Sequence, residues 1–246
     1  MLPRGRFASV ALAAGLVTGL AATIGALPAH AADDDAYVHQ VGTYDYLTQP
    51  DFTGLAPLSV AIDGASLGLG TFDGLDGEFV MVAGVPYRVG MDGLPAVVDP
   101  SRSTPFAQAI DFRPDTSGPV APGTTCANLA PVIQQLAGTD EGVVAVRVRG
   151  TFSELVTRSV PAQRAPYPSL AEVVAQQATF PLPGRRSVLV GFWQGPDMKG
   201  LGQPGLHLHG VTGDRRAGGH VLSCVVGSDV QVSVQRASGV VVHSDH

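Results

Sequence analysis

Three of the seven histidines fall in one short stretch, Gly205-Leu206-His207-Leu208-His209-Gly210 and then Gly218-Gly219-His220-Val221. His207 and His209 are two residues apart. On a strand the side chains alternate, so both imidazoles project from one face and Leu208 from the other. Val211-Thr212-Gly213-Asp214 with Gly218-Gly219 reads as a turn, and His220 opens the next apolar run. The chain can therefore fold back and set a third imidazole beside the first two. Three neutral imidazoles on neighbouring strands suit zinc or another divalent metal. Three protein ligands leave one position open, which is the catalytic pattern. An isolated His-x-His is commonly a pair of surface histidines; the third histidine after a glycine-rich return argues for a site.

Two charged residues sit where simple patterning would not put them. Glu78 starts an apolar strand, Phe79-Val80-Met81-Val82, directly after the turn signals Asp73-Gly74 and Asp76-Gly77. The bland reading is a solvated carboxylate, since Glu is mostly exposed. Against it, turn-flanked strand ends often carry function. Arg158 shares the period-two face of Val156 and Val160, and an arginine on an apolar face needs a partner. It reads either as half of a structural ion pair or as an anion-binding group whose planar fork fits a carboxylate.

The elements that must position these residues read as mostly strands. Gly84–Val89 is the return of the Glu78 strand. Gly142–Phe152 alternates cleanly as a half-buried strand, and Leu155–Pro161 follows as a second strand ended by proline. Arg185–Trp193 is a strand, and Val221–Val226 and Val230–Val234 are a pair. Leu58–Ile62 is a strand or a short helix, and Gly64–Gly70 is a small-residue turn. Leu129–Leu136 is a helix closed by Gly138; Ser169–Gln177 is another, with Ser169 and Glu172 spaced as a capping box. Asp33–Gln40 and the end from Val240 read as loose. The Pro/Gly/Ser/Thr-rich run Arg113–Thr125 is the best boundary. It divides an N-terminal β-rich half, residues 32–120, from an α+β half, 121–246, that carries the histidines.

Composition narrows the class. The chain has 246 residues, 31 glycines and 19 prolines, which suits a turn-rich, strand-rich protein. A net charge of −6 without a basic cluster argues against a nucleic-acid partner. Residues 1–31 read as a secretory signal peptide: two early arginines, an uncharged apolar run, and Ala29-His30-Ala31 before Ala32-Asp33. The mature protein is expected to be secreted, without stable membrane association. Export makes a Cys126–Cys224 bridge feasible; two buried thiols that never meet are the open alternative.

Taken together, several segments resemble the alpha-acetolactate decarboxylase family. They are Gly68-Leu69-Gly70-Thr71-Phe72 with Leu75-Asp76-Gly77-Glu78, Thr104-Pro105-Phe106, Gly150-Thr151-Phe152 with Thr157-Arg158-Ser159-Val160-Pro161, Pro166-Tyr167-Pro168, and Pro204–His209 with Gly218–Leu222. The resemblance runs from about Val41 to Val226. It implies an α+β fold of two β-rich halves with mixed or antiparallel sheets and a few short helices, often dimeric. It also implies a zinc enzyme that converts 2-acetolactate to acetoin and carbon dioxide. Position by position, it puts the metal on His207, His209 and His220, the carboxylate on Glu78, the arginine on Arg158, and a site-lining threonine on Thr71. The family adds a glutamate from a C-terminal helix, whereas this sequence has no Glu after Glu172. Asp245 and the terminal histidines are weak substitutes. The competing expectation is therefore a secreted zinc-binding protein with little or no decarboxylase activity. A three-histidine zinc hydrolase is a further alternative, and no His-Glu-x-x-His helix supports it.

Overall fold

The computed structural model describes residues 36–244. The segment read as a signal peptide, together with Asp245 and His246, lies outside the described residues. In chain order the strands are β1 (Tyr37–Val41), β2 (Ala56–Pro57), β3 (Leu67–Thr71), β4 (Glu78–Val82), β5 (Val85–Val89), β6 (Pro95–Val97), β7 (Ser103–Thr104) and β8 (Ala107–Ile110). They continue as β9 (Thr116–Pro119), β10 (Val143–Ser159), β11 (Ala178–Pro181), β12 (Arg185–Gln194), β13 (Gly205–Thr212), β14 (Gly218–Val226), β15 (Gln231–Arg236) and β16 (Gly239–His243). The helices are short: α1 (Tyr44–Thr48), α2 (Ser59–Ile62), α3 (Leu129–Ala137) and α4 (Leu170–Val174). The fold is α+β.

One seven-stranded sheet runs β16-β1-β8-β3-β4-β5-β6. The other is built around β10, which pairs with β11, β12, β14 and β15. Because β12 also pairs β13, and β13 pairs β14, the strands β10, β12, β13 and β14 close a ring. Closure fixes register, so side chains on β13 and β14 keep their places relative to β10.

The sheets pack face to face. Leu67, Leu69, Val80, Val82 and Ile110 of the first meet Val143, Ala145, Val190, Phe192 and Val211 of the second in one core. Helix α3 covers the outer face of the second sheet through Leu129 and Ile133 against Val144, Val146 and Val148. Helix α2 covers the first through Ala61 and Ile62. The C-cap of α3, Gly138, has φ +66, the left-handed end that glycine permits. The Ser169/Glu172 capping box of α4 forms in full.

Five readings change. Val221–Val226 and Val230–Val234 are not a pair, because β14 pairs with residues 152–158 of β10 and β15 with residues 144–149. The stretch Asp33–Gln40 is not loose throughout, because Tyr37–Val41 forms β1. Gly64–Gly70 is not all turn; it contains the buried strand β3. The two strands expected over 142–161 are one, β10, with register shifts between Phe152 and Glu154 and between Val156 and Thr157. These bulges bend the strand without breaking it. The C-terminal segment is β16, paired in parallel with β1.

Cys126 and Cys224 form a disulfide, with Cα atoms 5.0 Å apart across 98 residues of sequence. It ties the turn before α3 to β14, the strand that carries His220. A loop of that length makes the bridge worth up to about 4–5 kcal/mol through the unfolded state. Cys126→Ser or Cys224→Ser is expected to lower thermal stability by that amount, and reductant should reproduce the shift in the wild type.

Candidate metal centre

His207 and His209 project from the same face of β13, and Leu208 packs on the opposite side with Leu189 and Trp193. The turn after Thr212 brings β14 back so that His209 and His220 are directly paired across the two strands. The nitrogens His207 Nε2, His209 Nε2 and His220 Nδ1 lie 3.2 Å from one another in all three pairs. A tetrahedral ion at ordinary zinc–nitrogen distance places its ligands ~3.3 Å apart. His209 Nδ1 donates to the Phe79 carbonyl at 2.7 Å, so its proton is held there and Nε2 presents a bare lone pair. Burial pushes the pKa of His209 down to about 3, with Arg158 acting in the same direction and the Phe79 hydrogen bond opposing. Burial and neighbouring positive charge push His207 and His220 well below the ordinary histidine value. Three neutral imidazoles with lone pairs converging on one point are the donor set of a divalent cation site. The separations, the His209 tautomer and the neutral state of the three rings fit one. Among the described residues, this is the group of three ligating side chains close enough to hold an ion.

Glu78 and Arg158 join the triad from different strands. Thr71 and Glu78 face each other across β3 and β4, while Arg158 and His220 face each other across β10 and β14. Glu78 Oε2 is 3.6 Å from His209 Nε2, and Glu78 Oε1 is 4.0 Å from Arg158 Nη1. Burial raises the Glu78 carboxyl to about 7, with Arg158 pulling the other way. A carboxyl in that range can hold a proton at neutral pH and give it up. The turn that delivers Glu78 is clamped: Asp76 takes ion pairs from Arg88 and Arg102. Arg88 Nε also donates to the Asp76 carbonyl at 2.7 Å.

All six residues singled out by sequence, Thr71, Glu78, Arg158, His207, His209 and His220, line one cavity of about 250 Å³. The Thr71 hydroxyl donates to the Gly77 carbonyl at 2.9 Å, so it faces the cavity as an acceptor. Sequence reasoning missed the rest of the lining. Leu47, Phe106, Val160, Leu170 and Val174 form an apolar wall, and Tyr44 and Gln203 add polar groups. The spacing of Leu170 and Val174 on one face of α4 was visible, but not what that face covers. Gln203 lies in an irregular connection with no periodic signal.

A residue outside the cavity sets the strand that carries the ligands. A Cβ on Gly191 would lie 2.0 Å from the His207 carbonyl oxygen and 2.9 Å from Leu69 Cδ2. Only glycine lets β12 approach β13 this closely. Gly191→Ala is expected to push β13 off its register and lower metal affinity by ~10–100-fold, as loss of ligand support does elsewhere. Chelator competition on the purified variant measures it.

Residues 38–246 match the alpha-acetolactate decarboxylase family model. The chain is 36% identical over 185 residues to an alpha-acetolactate decarboxylase of Methanosarcina mazei, covering 75% of this chain and 64% of that protein, so it spans just under two thirds of that relative's length. It is 31% identical over 228 residues to one from Brevibacillus brevis, covering 87% of this chain and 80% of the relative. The crystal structure of alpha-acetolactate decarboxylase from Bacillus subtilis strain 168 superposes with a TM-score of 0.80 at 28% identity, covering 84% of this chain and 88% of that one. A Staphylococcus aureus protein described as similar to alpha-acetolactate decarboxylase also gives 0.80, at 26% identity, covering 84% and 88%. A family match over most of its length, with relatives above 30% identity, shows that the chain belongs to the alpha-acetolactate decarboxylase family.

Proposed function

We propose that this protein decarboxylates 2-acetolactate to acetoin and carbon dioxide, using a divalent cation, zinc by its donor set, held by His207, His209 and His220. The observation that carries the reading is the convergence of three lone-pair nitrogens, a buried carboxyl and a guanidinium in one cavity. When bound, the cation supplies Lewis-acid polarisation of the substrate's ketone and hydroxyl oxygens and an electron sink.

The chain's own groups do the rest. Arg158 offers a planar cationic fork that orients the substrate carboxylate before the bond to it breaks. Breaking that bond releases carbon dioxide and leaves its electron pair on the substrate's carbonyl system as an enediolate. Glu78, protonated in its buried position, delivers a proton to one face of that carbon, which makes acetoin and fixes its configuration. Thr71 accepts a hydrogen bond from the substrate. The wall of Leu47, Phe106, Val160, Leu170 and Val174 takes the methyl groups and excludes water. Export through residues 1–31, a mature chain beginning near Ala32, and a homodimer are part of the same proposal.

A binding protein without activity would leave Glu78 and Arg158 with no task beside the metal, so their placement favours the enzyme. Incubating the purified protein with 2-acetolactate and measuring acetoin and carbon dioxide separates the two. Formation of both in equal amounts is expected, and their absence from metal-loaded protein would overturn the proposal.

A further inference from the structure

The face of β10 that packs between the sheets carries two further arginines. Val143 and Ala145 of that face lie in the core, and Arg147 and Arg149 continue it at two-residue spacing. They border a crevice of about 170 Å³ whose other walls include Leu67, Val82, Val188 and Val190. This is the far end of the β3–β4 hairpin. Leu67 pairs with Val82 there, whereas Thr71 pairs with Glu78 at the metal end, four residues or ~13 Å away.

Neither guanidinium has an anionic partner among the described residues, whose ion pairs to arginine use other side chains. Asp111, beside Phe112 in sequence, is engaged by Arg113. Arg147 is half-buried over the Phe112 ring, 5.1 Å from its centroid. Burial, and then the like charge of Arg149, lower its pKa below the ordinary arginine value. Two cations at a partly dry crevice repel each other, and a buried guanidinium is costly unless hydrogen bonds or an anion meet it.

We propose that this crevice is a second ligand site, for a small carboxylate with a short apolar body. The Arg147–Arg149 pair takes the carboxylate, and Leu67, Val82, Val188 and Val190 take the alkyl part. Leu67, Val82 and Val190 are buried and form the floor of the crevice, and Val188 is partly open. A bare inorganic oxyanion satisfies the arginines but leaves this apolar lining without a partner, so the lining selects the organic acid. The inference is independent of the metal centre, because it uses none of its residues.

The test is calorimetric titration of the purified protein with isobutyrate and, separately, inorganic phosphate, at constant ionic strength set with sodium chloride. Saturable isobutyrate binding is expected in the wild type and in His207→Ala. It should weaken by ~10-fold or more in Arg147→Gln and Arg149→Gln, the loss of a charge-assisted contact. Arg149 is exposed, so Arg149→Gln keeps the test informative even if Arg147→Gln folds poorly. Phosphate should bind ~10-fold more weakly than isobutyrate or less tightly still. The proposal is overturned by absence of saturable isobutyrate binding, by undiminished binding in Arg149→Gln, or by phosphate binding as tightly as isobutyrate. Loss of binding in His207→Ala alone would assign the isobutyrate to the metal centre and equally overturn it.

Discussion

His207→Ala is expected to abolish metal binding and reduce acetoin formation by ~10³-fold or more, since a bound cation supplies several kcal/mol of transition-state charge stabilisation. The reason is geometric. His207 Nε2 is 3.2 Å from both His209 Nε2 and His220 Nδ1, so its removal leaves two ligands that cannot enclose an ion. The ring closure of β10, β12, β13 and β14 does not depend on the imidazole, so far-ultraviolet circular dichroism should be unchanged. Elemental analysis of the purified variant and acetoin release under saturating substrate measure the two halves of the effect. Metal content at wild-type level with turnover intact would show that His207 is not a ligand.

Glu78→Gln is expected to behave differently. Glutamine has nearly the same shape and cannot hand over a carboxyl proton, so metal content should stay at the wild-type level. Turnover should fall by ~10²–10⁴-fold, the range for a lost general acid. Stability should not fall, because burial already disfavours the charged carboxylate that the substitution removes. Residual acetoin from the variant should also lose its enantiomeric excess, since protonation would come from solvent. Chiral chromatography of the product reads this directly. A variant with full turnover and unchanged product configuration would remove Glu78 from the proton-transfer role.

The chemistry was more legible in the sequence than the architecture around it. The triad announces itself because strand alternation puts His207 and His209 on one face and a glycine-rich return brings back His220. The capping box at Ser169 and the Gly138 cap are local devices, so they too are readable. Strand β3 is not, because its Gly68 and Gly70 look like turn residues. Their role is long-range: a Cβ on Gly70 would lie 2.3 Å from the Phe106 carbonyl oxygen, so glycine there permits close approach to the chain entering β8. Strand β1 is disguised by the polar Gln40. That side chain is buried because Gln108 Nε2 donates to its Oε1 at 2.6 Å, a partner 68 residues away. The apolar cavity wall draws on several elements at once, and no single window of sequence contains it.

The centre of the account is one cation per chain, held by three imidazoles and needed for turnover. The most direct test is to strip the protein with a chelator, titrate zinc back, and follow bound metal and acetoin release together. The account predicts that activity vanishes on stripping and returns in proportion to zinc, reaching its plateau at one ion per chain. Full activity in the stripped protein, or a plateau unrelated to occupancy of His207, His209 and His220, would contradict it.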